Sequence, residues 1–163
     1  MRGTDKVLIG IVVAIVLLVG VAFAAILLRP EPTYEAEDTP AGVAHNYLLA
    51  LQRKDYPSAY RHLSPSLNGY PASQDEFERD VKELDYWFAD ISESTLAIES
   101  TAIRGAVADA VIRKTQFGAG GIFDTSQYIT NFEMELQLVG GEWKVTDSED
   151  YFLPCWRQAG GCS

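Results

Sequence analysis

The chain has 163 residues, with 13 Lys and Arg against 23 Asp and Glu, for a net charge of −10. That length sets one folded domain as the starting expectation, and 47% apolar residues exclude a wholly disordered chain. The acidic balance argues against a nucleic-acid partner, because neutralising phosphates needs clustered Lys and Arg; two cysteines alone make neither a zinc ribbon nor an iron–sulfur site.

Residues 7–28 carry no charged or hydrogen-bonding side chain. At 1.5 Å per residue, a helix of that length spans about 33 Å, enough for a hydrocarbon core of about 30 Å. The run therefore reads as a single transmembrane helix in contact with the lipid bilayer. Arg2 and Lys6 precede it, and the chain turns acidic at Glu31, Glu35, Glu37 and Asp38. The positive-inside rule then leans to residues 1–6 in the cytoplasm and the rest of the chain outside. A cleaved signal peptide is the rival, since Ala22-Phe23-Ala24 offers a small-residue cleavage site. The length of the apolar run favours an uncleaved anchor.

Residues 29–38 are Pro- and acid-rich and read as an extended spacer. From residue 30 onward the chain holds 10 cations and 22 acids, net −12, so it should stand off anionic headgroups. Thr39-Pro40 opens a helix, with Val43, Ala44, Tyr47, Leu48 and Leu51 forming one apolar stripe. Asp55 caps a short helix running to about Leu63, and Ser64-Pro65 stops it. Ser73-Gln74-Asp75-Glu76 is a capping box before a third helix with Phe77, Val81, Leu84 and Phe88 facing the core.

The period then changes from helical to two. Residues 95–103 and 106–117 read as strands about an Arg104-Gly105 turn, and Gly118-Ala119-Gly120-Gly121 as a flexible connection. Tyr128, Thr130, Phe132, Met134, Leu136 and Leu138 alternate with Asn131, Glu133, Glu135 and Gln137, a long strand with one wet face. Gly140-Gly141 turns the chain into a last strand over 142–147. The expected class is α+β: about three helices on a curved, mainly antiparallel four-stranded sheet, enclosing a cone.

The segment Asn46-Tyr47-Leu48-Leu49-Ala50-Leu51-Gln52-Arg53-Lys54-Asp55-Tyr56-Pro57-Ser58-Ala59-Tyr60-Arg61-His62-Leu63-Ser64-Pro65 resembles the opening of nuclear transport factor 2-like domains. Val139-Gly140-Gly141-Glu142-Trp143-Lys144-Val145 is similar to their closing hairpin, and the Ser73 box to the start of their third helix. The likeness is greatest to small uncharacterised bacterial members with a membrane anchor, and it covers residues 39–152. It implies the cone-like fold and leaves the activity open, because the superfamily includes isomerases, dehydratases, cyclases, carriers and protein-binding subunits. Many members dimerise through the sheet. Here that face would carry Asn131, Glu133, Glu135 and Gln137, polar for an obligate interface, so a homodimer is not favoured.

Candidate cavity residues are Tyr47, Tyr60, Trp87, Phe88, Asp109, Tyr128 and Phe132. Aromatics with polar tips suit an amphipathic ligand, although the same spacing also makes a plain core. Asp109 is the one acid nominated for catalysis; it lies in phase with Val107 and Val111, and no partner for a general acid/base pair is visible. His45 and His62 have no metal-ligand spacing and read as packing residues. The acids of 75–80 and of 147–150 read as solvated faces. In the tail, residues 153–163, two glycines let Cys155 fold back on Cys162, giving an expected disulfide. Neither a cofactor nor a metal is expected. The sequence thus supports a membrane-anchored extracytoplasmic module that binds an envelope protein or a small apolar ligand without catalysis. The alternative is an isomerase- or dehydratase-type cavity enzyme using Asp109 and the tyrosines.

Overall fold

The computed structural model describes residues 2–28, 31–118 and 126–162. The expected glycine connection lies outside the described residues beyond Gly118, as do Arg29 and Pro30 of the spacer. The chain divides into two compact units, Met1–Pro32 and Thr33–Ser163.

The first unit is one helix, α1 (Arg2–Leu27). Within it Val7–Ala25 has a mean hydropathy of 3.2 and is long and apolar enough to cross a membrane. Its large apolar side chains are exposed, Leu17, Leu18 and Phe23 among them.

The second unit holds α2 (Pro40–Gln52), α3 (Tyr56–His62) and α4 (Gln74–Glu83), then β1 (Thr95–Arg104), β2 (Val107–Phe117), β3 (Gln127–Val139) and β4 (Glu142–Ser148). The helix starts follow the capping residues. Thr39 Oγ1 accepts the Gly42 amide at 3.1 Å, Asp55 Oδ1 that of Ser58 at 3.2 Å, and Ser73 Oγ that of Glu76 at 3.2 Å. Glu76 closes its box on the Ala72 amide rather than on Ser73. Helix α4 ends at Glu83, so Leu84 caps it and Phe88 follows a 3-10 turn, Asp85–Trp87, instead of a continued helix.

All four strands pair antiparallel in the order β1-β2-β3-β4, which makes the domain α+β as expected. The Gly140-Gly141 turn joins β3 to β4, with Val139 opposite Glu142. Ala108, Ala110 and Ile112 of β2, Phe132, Met134 and Leu136 of β3, and Val145 of β4 form the buried face. Helix α2 lies on that face and buries Val43, Ala44, Tyr47, Leu48 and Leu51. The β4 edge is covered in part: Leu63 bridges Val145, and the Ser64 amide donates to the Val145 carbonyl at 2.8 Å.

Two segments that the sequence set apart belong to this domain. From Thr33 onward the spacer runs along α2 as a strap. Buried Asn46 exchanges two hydrogen bonds with the Glu35 backbone, at 2.7 and 2.9 Å, and Tyr34 donates to Asp55 at 2.7 Å. Gly42 admits the strap, because a Cβ there would land on the Ala36 carbonyl oxygen. At the other end Tyr151, Phe152, Leu153 and Trp156 are all buried in the main core. The tail therefore closes the domain instead of trailing from it, since its Leu153 and Trp156 gain most by joining Tyr151 and Phe152 in the core. The Cys155–Cys162 disulfide is formed, as expected.

Candidate functional site

The seven cavity candidates do not form one constellation. Tyr47 and Phe132 are buried around Tyr151. The Tyr47 hydroxyl donates to the Tyr151 carbonyl at 2.9 Å, and the Phe132 ring meets the Tyr151 ring edge-on at 5.6 Å. Desolvation pushes the Tyr47 phenol well above its ordinary pKa. Tyr60 stacks on Tyr70 at 5.2 Å and donates to the Pro71 carbonyl, in the wall between α3 and the 64–72 loop. Trp87 packs on Tyr86, Phe88 is buried beneath the turn after α4, and Tyr128 is 63% exposed near the start of β3.

Asp109 belongs to the outer face of the sheet. Ala108, Ala110 and Ile112 are the inward set, so Val107, Asp109 and Val111 point away from the helices. Both phases of this strand are apolar, and the small alanines go inward where α2 must approach. Arg104 holds the Asp109 carboxylate at 2.5 Å. In register, Asp109 sits opposite Glu135, and Glu135 opposite Asp147. With Glu133 and Glu149 these acids line a shallow cleft of about 390 Å³. Like charges across strands repel; here Arg104 and Arg157 relieve part of it, Arg157 holding Asp147 at 2.6 Å. Among the described residues no group of His, Cys, Asp and Glu is arranged to hold a metal ion.

A polar cluster that the sequence did not suggest joins the turn after α4 to the sheet. Lys114 of β2 reaches Asp90 at 2.7 Å and Asp150 at 3.0 Å, with its ammonium 5.0 Å from the Tyr151 ring centre. Tyr151 and Gln116 both donate to Asp90, at 3.0 and 2.7 Å. Burial alone would lower the Lys114 pKa, but its hydrogen bonds to Asp90, Asp150 and Tyr151 raise it above the usual lysine range. Burial likewise works to raise Asp90, and Lys114 and Tyr151 hold it below the usual carboxylate range. The Lys114 ammonium and the Asp90 carboxylate are both held within this cluster, so it clasps the turn after α4 to the sheet. Asp150 is thus paired while 41% of its side chain stays exposed. Asp80 leaves the solvated face expected of it: it is buried and accepts the Trp156 indole proton at 3.1 Å.

A second cleft, of about 480 Å³, opens where the C-terminus of α2 meets the start of α3, α4 and the turn behind it. Leu51, Val81, Phe88 and Ile91 form its floor, and Lys54, Tyr56, Lys82 and Asp85 stand around it. Lys82 is shared with Glu78 at 2.5 Å and lies 5.6 Å from the Tyr56 ring centre. Of the seven sequence candidates only Phe88 reaches this cleft. The signal available in the sequence was a lysine followed by the Asp55 cap, which reads equally well as a helix end.

No family model matches the chain, and no curated protein matches it. Among solved structures it is similar to a SEC-C motif containing protein from Rhodopseudomonas palustris, at 16% identity and a TM-score of 0.48, covering 72% of this chain and 83% of that one. It is also similar to an NTF2-like protein of unknown function from Cytophaga hutchinsonii, at 12% identity and a TM-score of 0.39, covering 78% of this chain and 96% of that one. The chain's own elements define its class: an α+β domain, helices first and antiparallel sheet after, following in sequence a helix long and apolar enough to cross a membrane.

Proposed function

We propose that the chain is a non-catalytic binding module of the cell envelope, of the nuclear transport factor 2-like kind, held by α1 as an uncleaved single-pass anchor. Its N-terminus is cytoplasmic and its α+β domain extracytoplasmic. The observation that carries the non-catalytic reading is the use of Tyr47 and Phe132 to pack Tyr151, which leaves the nominated acid, Asp109, on the opposite face of the sheet. Of the aromatic candidates Trp87 alone lines a described cleft with Asp109, and an indole supplies no acid or base, so no acid–base pair converges there on one substrate atom. The Cys155–Cys162 bond supports the extracytoplasmic placement, because disulfides persist in oxidising compartments. The partner is an envelope protein or a small ligand held at the surface.

The test is topology of the full-length chain in a bacterial host. Expected results are retention in carbonate-washed membranes, an intact N-terminus by mass spectrometry, and digestion of the domain by protease added from the outside. A mature chain beginning after Ala24 removes the anchor, and a domain protected from external protease removes the orientation.

A further inference from the structure

We propose that the cleft floored by Leu51, Val81, Phe88 and Ile91 binds a small aromatic carboxylate, with its ring on the floor and its charge on Lys54. The inference rests on the reading of the domain as a binding module and names the ligand class of one surface site. No strand residue lines this cleft, so it is distinct from the space between helices and sheet. Its volume of about 480 Å³ is that of a small-molecule site, and its mixture of apolar floor and few polar groups is the usual composition of one.

Charge selects the occupant. The domain is acidic, and the described clefts elsewhere follow suit. The one on the sheet is lined by Asp109, Glu133, Glu135, Asp147 and Glu149 against Arg157, and the one beside β1 by Glu35 and Glu99 with no lysine or arginine. The cleft at the end of α2 departs from this pattern: Lys54 and Lys82 stand there against Asp85 and the Glu78 that holds Lys82. Lys82 is already shared with Glu78, whereas no ion pair among the described residues engages Lys54. Lys54 also sits at a φ of 56°, a left-handed conformation that Gly or Asn adopts more easily than a lysine does. A residue chosen only to end α2 would be one of those; a lysine at this turn adds an ammonium at the mouth of an apolar cleft. Gln52 is not available to the ligand, since its amide donates to the Ile91 and Ser94 carbonyls at 3.1 and 2.9 Å. Tyr56 and Phe88 supply aromatic surface, on which a flat ring gains more than a branched chain.

The experiment titrates the full-length chain in phosphatidylcholine nanodiscs, with empty nanodiscs as the blank. The probes are 2-naphthoate, neutral 2-naphthamide and cationic 2-naphthylmethylammonium, and heat of binding is the readout. We expect saturable one-site binding of 2-naphthoate, weaker by about tenfold for the amide, as one lost charge-assisted contact requires, and none for the ammonium. Lys54→Asn, which suits the left-handed backbone, should weaken 2-naphthoate by about tenfold without lowering the melting temperature. Ser92→Trp, at an exposed position on the rim, should abolish binding. The proposal is overturned by amide or ammonium binding as tightly as the acid, by unchanged affinity in Lys54→Asn, or by no saturable binding at all. Heat evolved in phosphatidylglycerol nanodiscs that blocks 2-naphthoate would make the occupant a lipid, which also overturns it. A chain that binds the probe but is cleaved after Ala24 keeps the cleft and loses the anchor. An anchored chain with a blind cleft does the reverse.

Discussion

His62 is the last residue of α3 and is only 1% exposed, with no hydrogen-bond partner for Nε2. Around it lie Glu37 of the strap, at 3.9 Å, and the charges of Arg61, Lys144 and Asp55. Burial pushes its pKa down from 6.5 to about 4; Glu37 and Asp55 act against that shift, and Arg61 and Lys144 add to it. An unfolded chain takes up this proton near pH 6.5, and the folded chain does so only near pH 4. The stability tied to His62 is therefore complete above pH 6.5 and is lost progressively as pH falls to 4, a loss on the order of 3 kcal/mol. His62→Leu should flatten the stability profile across that window relative to the native chain, measured by urea unfolding at a series of pH values. Parallel profiles for the two chains would contradict it. At the same scale, Gly69 donates its amide to the Trp156 carbonyl at 2.9 Å. A Cβ there would land on the carbonyl oxygens of Cys155 and Gln158, both backbone atoms that cannot swing aside. Gly69→Ala should cost about 2 kcal/mol or more, from overpacking. A melting temperature within a degree of native would show that the tail shifts freely.

At the scale of elements, the helix starts and strand phases were legible because they rest on local rules. Thr39, Asp55 and Ser73 each cap the helix that the sequence assigns them, and the alternation from Tyr128 to Leu138 appears as a single strand. What was not legible depends on long-range pairing. Strand β2 is apolar in both phases, so nothing local says that Ala108 and Ala110, rather than Val107 and Val111, turn toward α2. The role of Tyr151 is hidden for the same reason, since its partners Tyr47, Asp90 and Lys114 lie between 37 and 104 residues away. The candidate cleft is of this kind too, assembled from the ends of three helices and a turn, of which the sequence offered only Phe88. Two predictions belong here. Lys114→Met leaves Asp90 and Asp150 without their cation and should cost about 1–2 kcal/mol, less than for a fully buried pair because both carboxylates are more than a third exposed. Near-native stability in urea would show that Gln116 and Tyr151 suffice to hold Asp90. Reducing Cys155–Cys162 opens a short loop and should cost about 2 kcal/mol. It should also raise exchange of the Gly69 amide, which the tail accepts. An unmoved unfolding midpoint under reductant would mean that Trp156 alone seats the tail.

For the whole molecule, the charge on the exposed face of the sheet governs what that face can meet. That face carries Arg113, Asn131, Glu133, Glu135 and Gln137, with Glu99 paired to Arg113 and bonded to Asn131 at 2.9 Å. Two copies joined through it would bring the Asp109–Glu135–Asp147 row against its own image. Arg104 and Arg157 already hold Asp109 and Asp147, but Glu133 and Glu135 would have to give up water without gaining a cation, and burying charge without a partner costs more than the strand contacts return. A partner that offers Lys or Arg to the same row loses nothing comparable. The full-length chain in detergent should therefore be monomeric by light scattering with protein and detergent masses separated, at tens of micromolar and ordinary salt. If repulsion between acids is what keeps it so, Glu133→Lys together with Glu135→Lys should shift the same measurement toward a dimer, since each copy would then present cations to the other's Asp109 and Asp147. A native chain that already measures as a dimer would place the interface elsewhere on the domain or along α1. Monomers in both chains would mean that the face is too polar to associate with itself whatever the sign of its charges.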